Sequence, residues 1–96
     1  MPRFLALLKR DYERFSEADF TPFLEPEAEA ARVLYTEGIA RAVHGRGDVP
    51  GAVIELEVGS AEEARAVLAR LPFFAKGMLI LDLVPLAPYR GFGPRG

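Results

Sequence analysis

His44 is the one histidine in the chain. It is also the one side chain here whose ordinary titration falls near neutrality, which makes it the natural proton carrier. Glu55 and Glu57 alternate with Ile54, Leu56 and Val58, so both carboxylates stand on the face of a strand opposite those apolar residues. A carboxyl on a partly apolar surface is pushed toward its neutral form by desolvation, which suits general acid–base work. Asp82 breaks the apolar run of residues 78–86 and shares a strand face with Met78, Ile80 and Val84. Arg41 precedes His44 by three residues, and Arg46 sits beside Asp48 in the loop GRGDVPG. A guanidinium presents a planar fork that matches a carboxylate. The chemistry these types allow is proton transfer on a small anionic organic molecule, with His44 and Glu55 as acid and base. Arg41, Arg46, Glu57 and Asp82 would then bind the substrate.

Each of these residues also has a plainer role. Strand glutamates are often rim charges paired with arginine. His44 would satisfy a hydrogen bond near a strand end, and Arg46 with Asp48 would form an ion pair that stiffens a loop. Parity adds a constraint on the basic pair. Side chains three apart on a strand point to opposite faces unless a bulge intervenes. If Ala40 and Ala42 pack on helices, Arg41 faces the pocket; if Ile39 and Val43 do, His44 does. Small alanines under helices favour the first arrangement, and a bulge at Gly45 would admit both.

Composition removes several classes of function. With no cysteine there are no disulfides, thiolate nucleophiles or cysteine metal sites, and one histidine cannot build a histidine-based metal centre. A net charge of −2 supplies no field for a phosphate backbone, so no nucleic-acid partner is expected. The apolar run at residues 4–8 is too short for a signal-peptide core or a membrane span, and the run at 78–88 is broken by Asp82 and two prolines. A cytoplasmic protein without membrane partner or cofactor is the expectation. Gly45, Gly47 and Gly51 make no phosphate-binding fingerprint, because no helix begins there.

The elements that must position these residues follow from periodicity. RFLALL (3–8) is apolar on both faces and predicts a central strand. Ser16 with Asp19 marks a short helical turn, and Thr21-Pro22 a second start. A helix is predicted over 25–37, with Ala28, Ala31, Leu34 and Tyr35 as its stripe and Gly38 as its end. A weaker strand covers 39–44, and a Gly-rich loop leads to the strand through Ile54, Leu56 and Val58. Ser60 and Glu63 form a capping box; Ala64, Val67, Leu68 and Leu71 supply the helix stripe, and Pro72 is its stop. The strand of residues 78–86 follows. Residues 1–86 make one domain and 87–96 an extended arm, with Tyr89 and Phe92 as anchors on a neighbouring subunit.

The order strand, helix, strand, strand, helix, strand predicts an α+β fold of the ferredoxin-like type, a four-stranded antiparallel sheet with both helices on one face. Two helices cover one face, yet the outer strands of the order carry apolar residues on both. The uncovered face would present Val53, Met78, Ile80, Val84 and one set from the first strand. Soluble monomers rarely expose a contiguous apolar patch beyond a few hundred Å². A second copy packing sheet to sheet is therefore expected, giving a homodimer or higher homo-oligomer.

Three stretches carry a family likeness: EGIARAVHGRGDVPGAVIELEV, SAEEARAVLARLPFFAKGMLILDLVPL and PLAPYRGF. Glu37-Gly38 closing the first helix, Leu71-Pro72 followed by two aromatics, and the Pro85-Leu86 ending are its specific points. Over roughly residues 33–92 the chain resembles the muconolactone isomerase-like branch of the dimeric α+β barrel proteins. The resemblance implies a homo-oligomer with its pocket inside the barrel and a proton shift on a lactone bearing a carboxylate. It also implies that Arg41 aligns with a family arginine. A non-catalytic homo-oligomeric module that binds a small ligand or a protein is the alternative. A haem-degrading monooxygenase of the same superfamily, with His44 as axial ligand, is a third.

Overall fold

The computed structural model describes residues 2–91; Met1 and residues 92–96, including Phe92 of the expected arm, lie outside the described residues. The strands are β1 (Arg3–Arg10), β2 (Ala40–Gly45), β3 (Gly51–Glu57) and β4 (Leu79–Leu86). The helices are α1 (Glu17–Phe20), α2 (Leu24–Thr36), α3 (Ala61–Leu68) and α4 (Pro72–Ala75), with a 3-10 turn at Thr21–Phe23. The sheet order is β2-β3-β1-β4 and every neighbouring pair is antiparallel, the ferredoxin-like arrangement.

Alternation decides which face each strand residue takes. Phe4, Ala6 and Leu8 of β1 lie opposite Leu56, Ile54 and Ala52 of β3, and all but Ala52 are buried. Leu34 from α2 and Ala64 and Leu68 from α3 close over them in one core, so both long helices serve the same side of the sheet. On the other face stand Leu5, Leu7, Val53, Ile80 and Val84, none of which belongs to a core cluster. A second, smaller cluster joins Phe20, Phe73 and Met78. Its rings meet edge to face, Phe20 and Phe73 at 5.1 Å between centroids.

Local signals explain most boundaries. Ser60 Oγ accepts the Glu63 N–H at 3.1 Å, and the Glu63 carboxylate reaches back to the N–H of Gly59, one residue earlier than a capping box requires. Gly38 ends α2 with φ at 81°, a conformation that favours glycine. Gly51 is fixed by a close approach: a Cβ there would lie 2.0 Å from the carbonyl oxygen of Leu8 on the neighbouring strand.

Four sequence expectations change. Met78 precedes β4 and is buried in the Phe20 cluster, not on the open face. β1 runs beyond the predicted end at Leu8, through Lys9 and Arg10, which pair with Ile80 and Leu79. The helix after Ser60 ends at Leu68, not at Pro72. Leu71 is extended (φ −82°, ψ 123°), as a residue before proline is driven to be, and Pro72 opens α4 at its first position. Tyr35, placed in the α2 stripe, is 61% exposed.

Candidate functional site

The register settles the parity of β2. Ala40 pairs with Leu56 and Ala42 with Glu55, so Arg41 is the extra residue of a β-bulge. Beyond it Val43 lies opposite Ile54 on the helix side, and His44 lies opposite Val53 on the open face. The bulge is at Arg41 and not at Gly45, and it reverses the favoured arrangement: His44, not Arg41, joins the open face. Arg41 instead lies with Tyr35, Gly38 and Ala40 around a separate surface depression.

Four sequence-predicted residues, His44, Glu55, Glu57 and Asp82, thus share one face. Asp82, Leu7, Val53 and His44 form a row across the four strands, and Val84, Leu5, Glu55 and Ala42 form the next. His44 and Glu55 are diagonal neighbours on adjacent strands, on the order of 7–8 Å apart at Cα. Asp82 stands at the opposite edge of the row from His44, three strand spacings or about 14 Å away.

Arg3 was missed as a member of this group, although it has the same parity as Leu5 and Leu7. Its Nη1 lies 2.6 Å from Glu55 Oε2, and its Nη2 lies 3.6 Å from Glu57 Oε2. Both strand glutamates therefore answer to one guanidinium, as in the plainer rim reading. Arg46 is likewise engaged: Nε and Nη2 donate to the two oxygens of Asp48 at 3.0 and 2.7 Å. The hydrogen bonds from Arg46 hold the Asp48 carboxyl down at about 2.

The better-formed cavity lies on the other side of the sheet, in a place the sequence did not flag. A cleft of about 230 Å³ runs between α2 and the sheet, with Leu8, Val43, Ile54, Leu71, Phe73 and Leu79 among its walls. Its only charged wall residues are Arg10 and Glu27. Glu27 Oε1 accepts the Phe73 N–H at 2.8 Å, and burial raises its carboxyl above the usual range against the opposing pull of that bond and of Arg10. Arg10 Nη1 donates to Tyr12 Oη at 2.9 Å and to Glu17 at 3.2 Å. Its guanidinium carbon lies 4.9 Å from the Phe20 centroid and 5.5 Å from that of Phe73. Tyr12 Oη also donates to Glu17, and that bond, with Arg10 beside it, lowers the Glu17 carboxyl. The signal available in sequence was the alternation of β1 itself, which, continued past Leu8, puts Arg10 on the helix side with Phe4, Ala6 and Leu8.

Among the described residues no cluster of three or more histidine or carboxylate groups could hold a metal ion, and no helix is long and apolar enough to cross a membrane. Comparison with protein-family models yields no match, and comparison with curated proteins yields none either.

Proposed function

We propose that two copies of this chain pack their open sheet faces together and enclose a pocket for a small anionic organic acid or lactone. One observation supports this above the others. Leu5, Leu7, Val53, Ile80 and Val84 share the open face with Arg3, Lys9, His44, Glu55, Glu57 and Asp82 and belong to neither core cluster, with Ile80 42% exposed. Four strands of about seven residues span on the order of 400 Å² in projection. Side chains standing off that plane raise the accessible area toward the roughly 800 Å² per partner of a stable interface.

Within such a barrel, His44 is the proton carrier, since Glu55 is already held by Arg3. Arg3, on the open face where Arg41 is not, takes over the substrate-carboxylate role by exchanging its ion pairs with Glu55 and Glu57 for one with the substrate. The reaction would be the proton shift of a muconolactone-isomerase-like enzyme: removal of the γ proton of an α,β-unsaturated lactone to give a dienolate, and return of a proton at the carbon beside the carbonyl.

The test is incubation of an unsaturated lactone bearing a carboxylate with the protein in D₂O. Deuterium enters the lactone with the intact protein and not with His44→Ala. If His44→Ala and Glu55→Gln both leave exchange unchanged, the acid–base assignment is wrong. The second reading, a homo-oligomeric ligand-binding module without catalysis, is favoured by the Arg3–Glu55 ion pair at 2.6 Å. It predicts lactone binding with no exchange at all.

A further inference from the structure

We infer that the cleft between α2 and the sheet is a second ligand site, which takes a small neutral hydroxylated molecule about one ring in size, a phenol or a compact alcohol. This site lies on the helix side of the sheet and stands independently of the barrel interior proposed above.

Size sets the first bound. An engineered apolar cavity of about 150 Å³ holds one benzene molecule. The cleft, at about 230 Å³, has room for a ring with one or two substituents. Leu24 and Val43 in its wall are 41% and 37% exposed, so the space communicates with solvent.

Chemistry sets the second bound. The wall is apolar except for two groups held in place by bonds of their own. Glu27 is fixed through Oε1 by the Phe73 N–H, while Oε2 has no hydrogen-bond partner among the described residues. Arg10 is fixed through Nη1 by Tyr12 and Glu17, and its Nε and Nη2 donate to no described residue. A hydroxyl both donates and accepts, so it suits a wall whose polar groups are a carboxylate oxygen and guanidinium N–H groups. Because both side chains are already immobilised, a ligand meets them without the ordering cost of loose side chains.

Charge sets the third. Glu17 already offsets the Arg10 cation at 3.2 Å, so an anion entering the cleft would find the Glu27 carboxylate with no spare positive charge against it. A neutral ligand escapes that repulsion. Burial, which raises the Glu27 carboxyl, already disfavours its negative charge and so disfavours a second one beside it.

The experiment is a titration of the ¹⁵N-labelled full chain with 4-methylphenol, toluene and 4-methylbenzoate, followed by amide chemical shifts. 4-Methylphenol should shift the amides of Ala28, Ala31, Val43 and Phe73 saturably. It should bind about tenfold more tightly than either comparison compound, the scale of one or two hydrogen bonds. Ala31→Leu should abolish the effect by filling the cleft, and Glu27→Gln should remove most of the preference over toluene with the spectrum otherwise intact. If Ala31→Leu does not fold, Glu27→Gln decides alone. Equal binding of toluene, tighter binding of 4-methylbenzoate, or shifts confined to the open face around Val53 and His44 would each overturn the assignment. So would the absence of any saturable shift with all three compounds.

Discussion

The backbone N–H of Phe73 donates to Glu27 Oε1 over 2.8 Å, tying the first turn of α4 to the first turn of α2. This one bond joins two elements 46 residues apart and closes one end of the cleft. Glu27→Gln keeps an acceptor for the Phe73 amide and removes the desolvated charge, so its stability at neutral pH should match or exceed the parent. Glu27→Ala leaves that amide unpaired and should cost about 1–3 kcal/mol. Urea unfolding of both variants measures the difference.

The same carboxyl gives a signed pH dependence. Its folded-state value is raised above the ordinary 4.5, so the folded state holds the proton more tightly than the unfolded one. The resulting stability is complete below 4.5 and is lost as pH rises through the raised value. Unfolding free energy should therefore decline more across that interval for the parent than for Glu27→Gln. Identical pH slopes for the two proteins would contradict the burial of Glu27.

Asp48 runs the opposite way. Its carboxyl lies at about 2 instead of 3.8 because Arg46 hydrogen-bonds to it, so the loop contact is present above 3.8 and lost as pH falls toward 2. A carboxyl-detected NMR titration should show the low value, and Arg46→Ala should return it close to 3.8. Both groups are at the surface, so the effect on global stability should be small.

Gly51 carries the largest single-residue prediction. A methyl group there would sit 2.0 Å from the Leu8 carbonyl oxygen, inside any permitted contact and against backbone that cannot rotate away. Gly51→Ala should destabilise by about 3 kcal/mol or prevent folding, against well under 1 kcal/mol for Gly47→Ala, where the added Cβ meets open space. Urea midpoints of the two variants make the comparison.

What the sequence showed and what it hid divide along the range of the interactions. The four strands, α2 and α3 were legible because each carries its own period: Ile54-Glu55-Leu56-Glu57 alternates, and Ala64, Val67 and Leu68 recur as a helix face. The sheet order followed from connection rules. The bulge was not legible, because the run Ala-Arg-Ala at 40–42 satisfies either parity and only pairing with Leu56 and Glu55 reveals the extra residue. Pro72 was read as a stop when it is a start, since proline suits both positions. The placement of Glu55 and Asp82 on one face could be read from alternation, but that of His44 turned on the bulge, and the engagement of Glu55 by Arg3 was not legible either. The cleft escaped entirely: Arg10, Glu27 and Phe73 are far apart in the chain and meet only through the packing of β1, α2 and α4.

The bulge yields a prediction of its own. Deleting Arg41 removes the unpaired residue and leaves Ala40 and Ala42 to pair with Leu56 and Glu55 as a regular ladder. The deletion variant should fold with a stability change of about 1 kcal/mol or less. Its amide shifts around His44 and Val53 should stay near those of the parent. A reshuffled β2, seen as large shifts along Val43, His44 and Gly45, would show that the extra residue sets the register.

Sedimentation equilibrium at micromolar concentration asks most directly whether the bare apolar face is a subunit interface. The parent chain should sediment at twice its 10.6 kDa mass or a higher multiple, and Leu7→Lys, with a charge at the middle of that face, should sediment as a folded single chain or lose its fold. A parent that sediments at 10.6 kDa, with Leu7→Lys equally stable and soluble, would contradict the account.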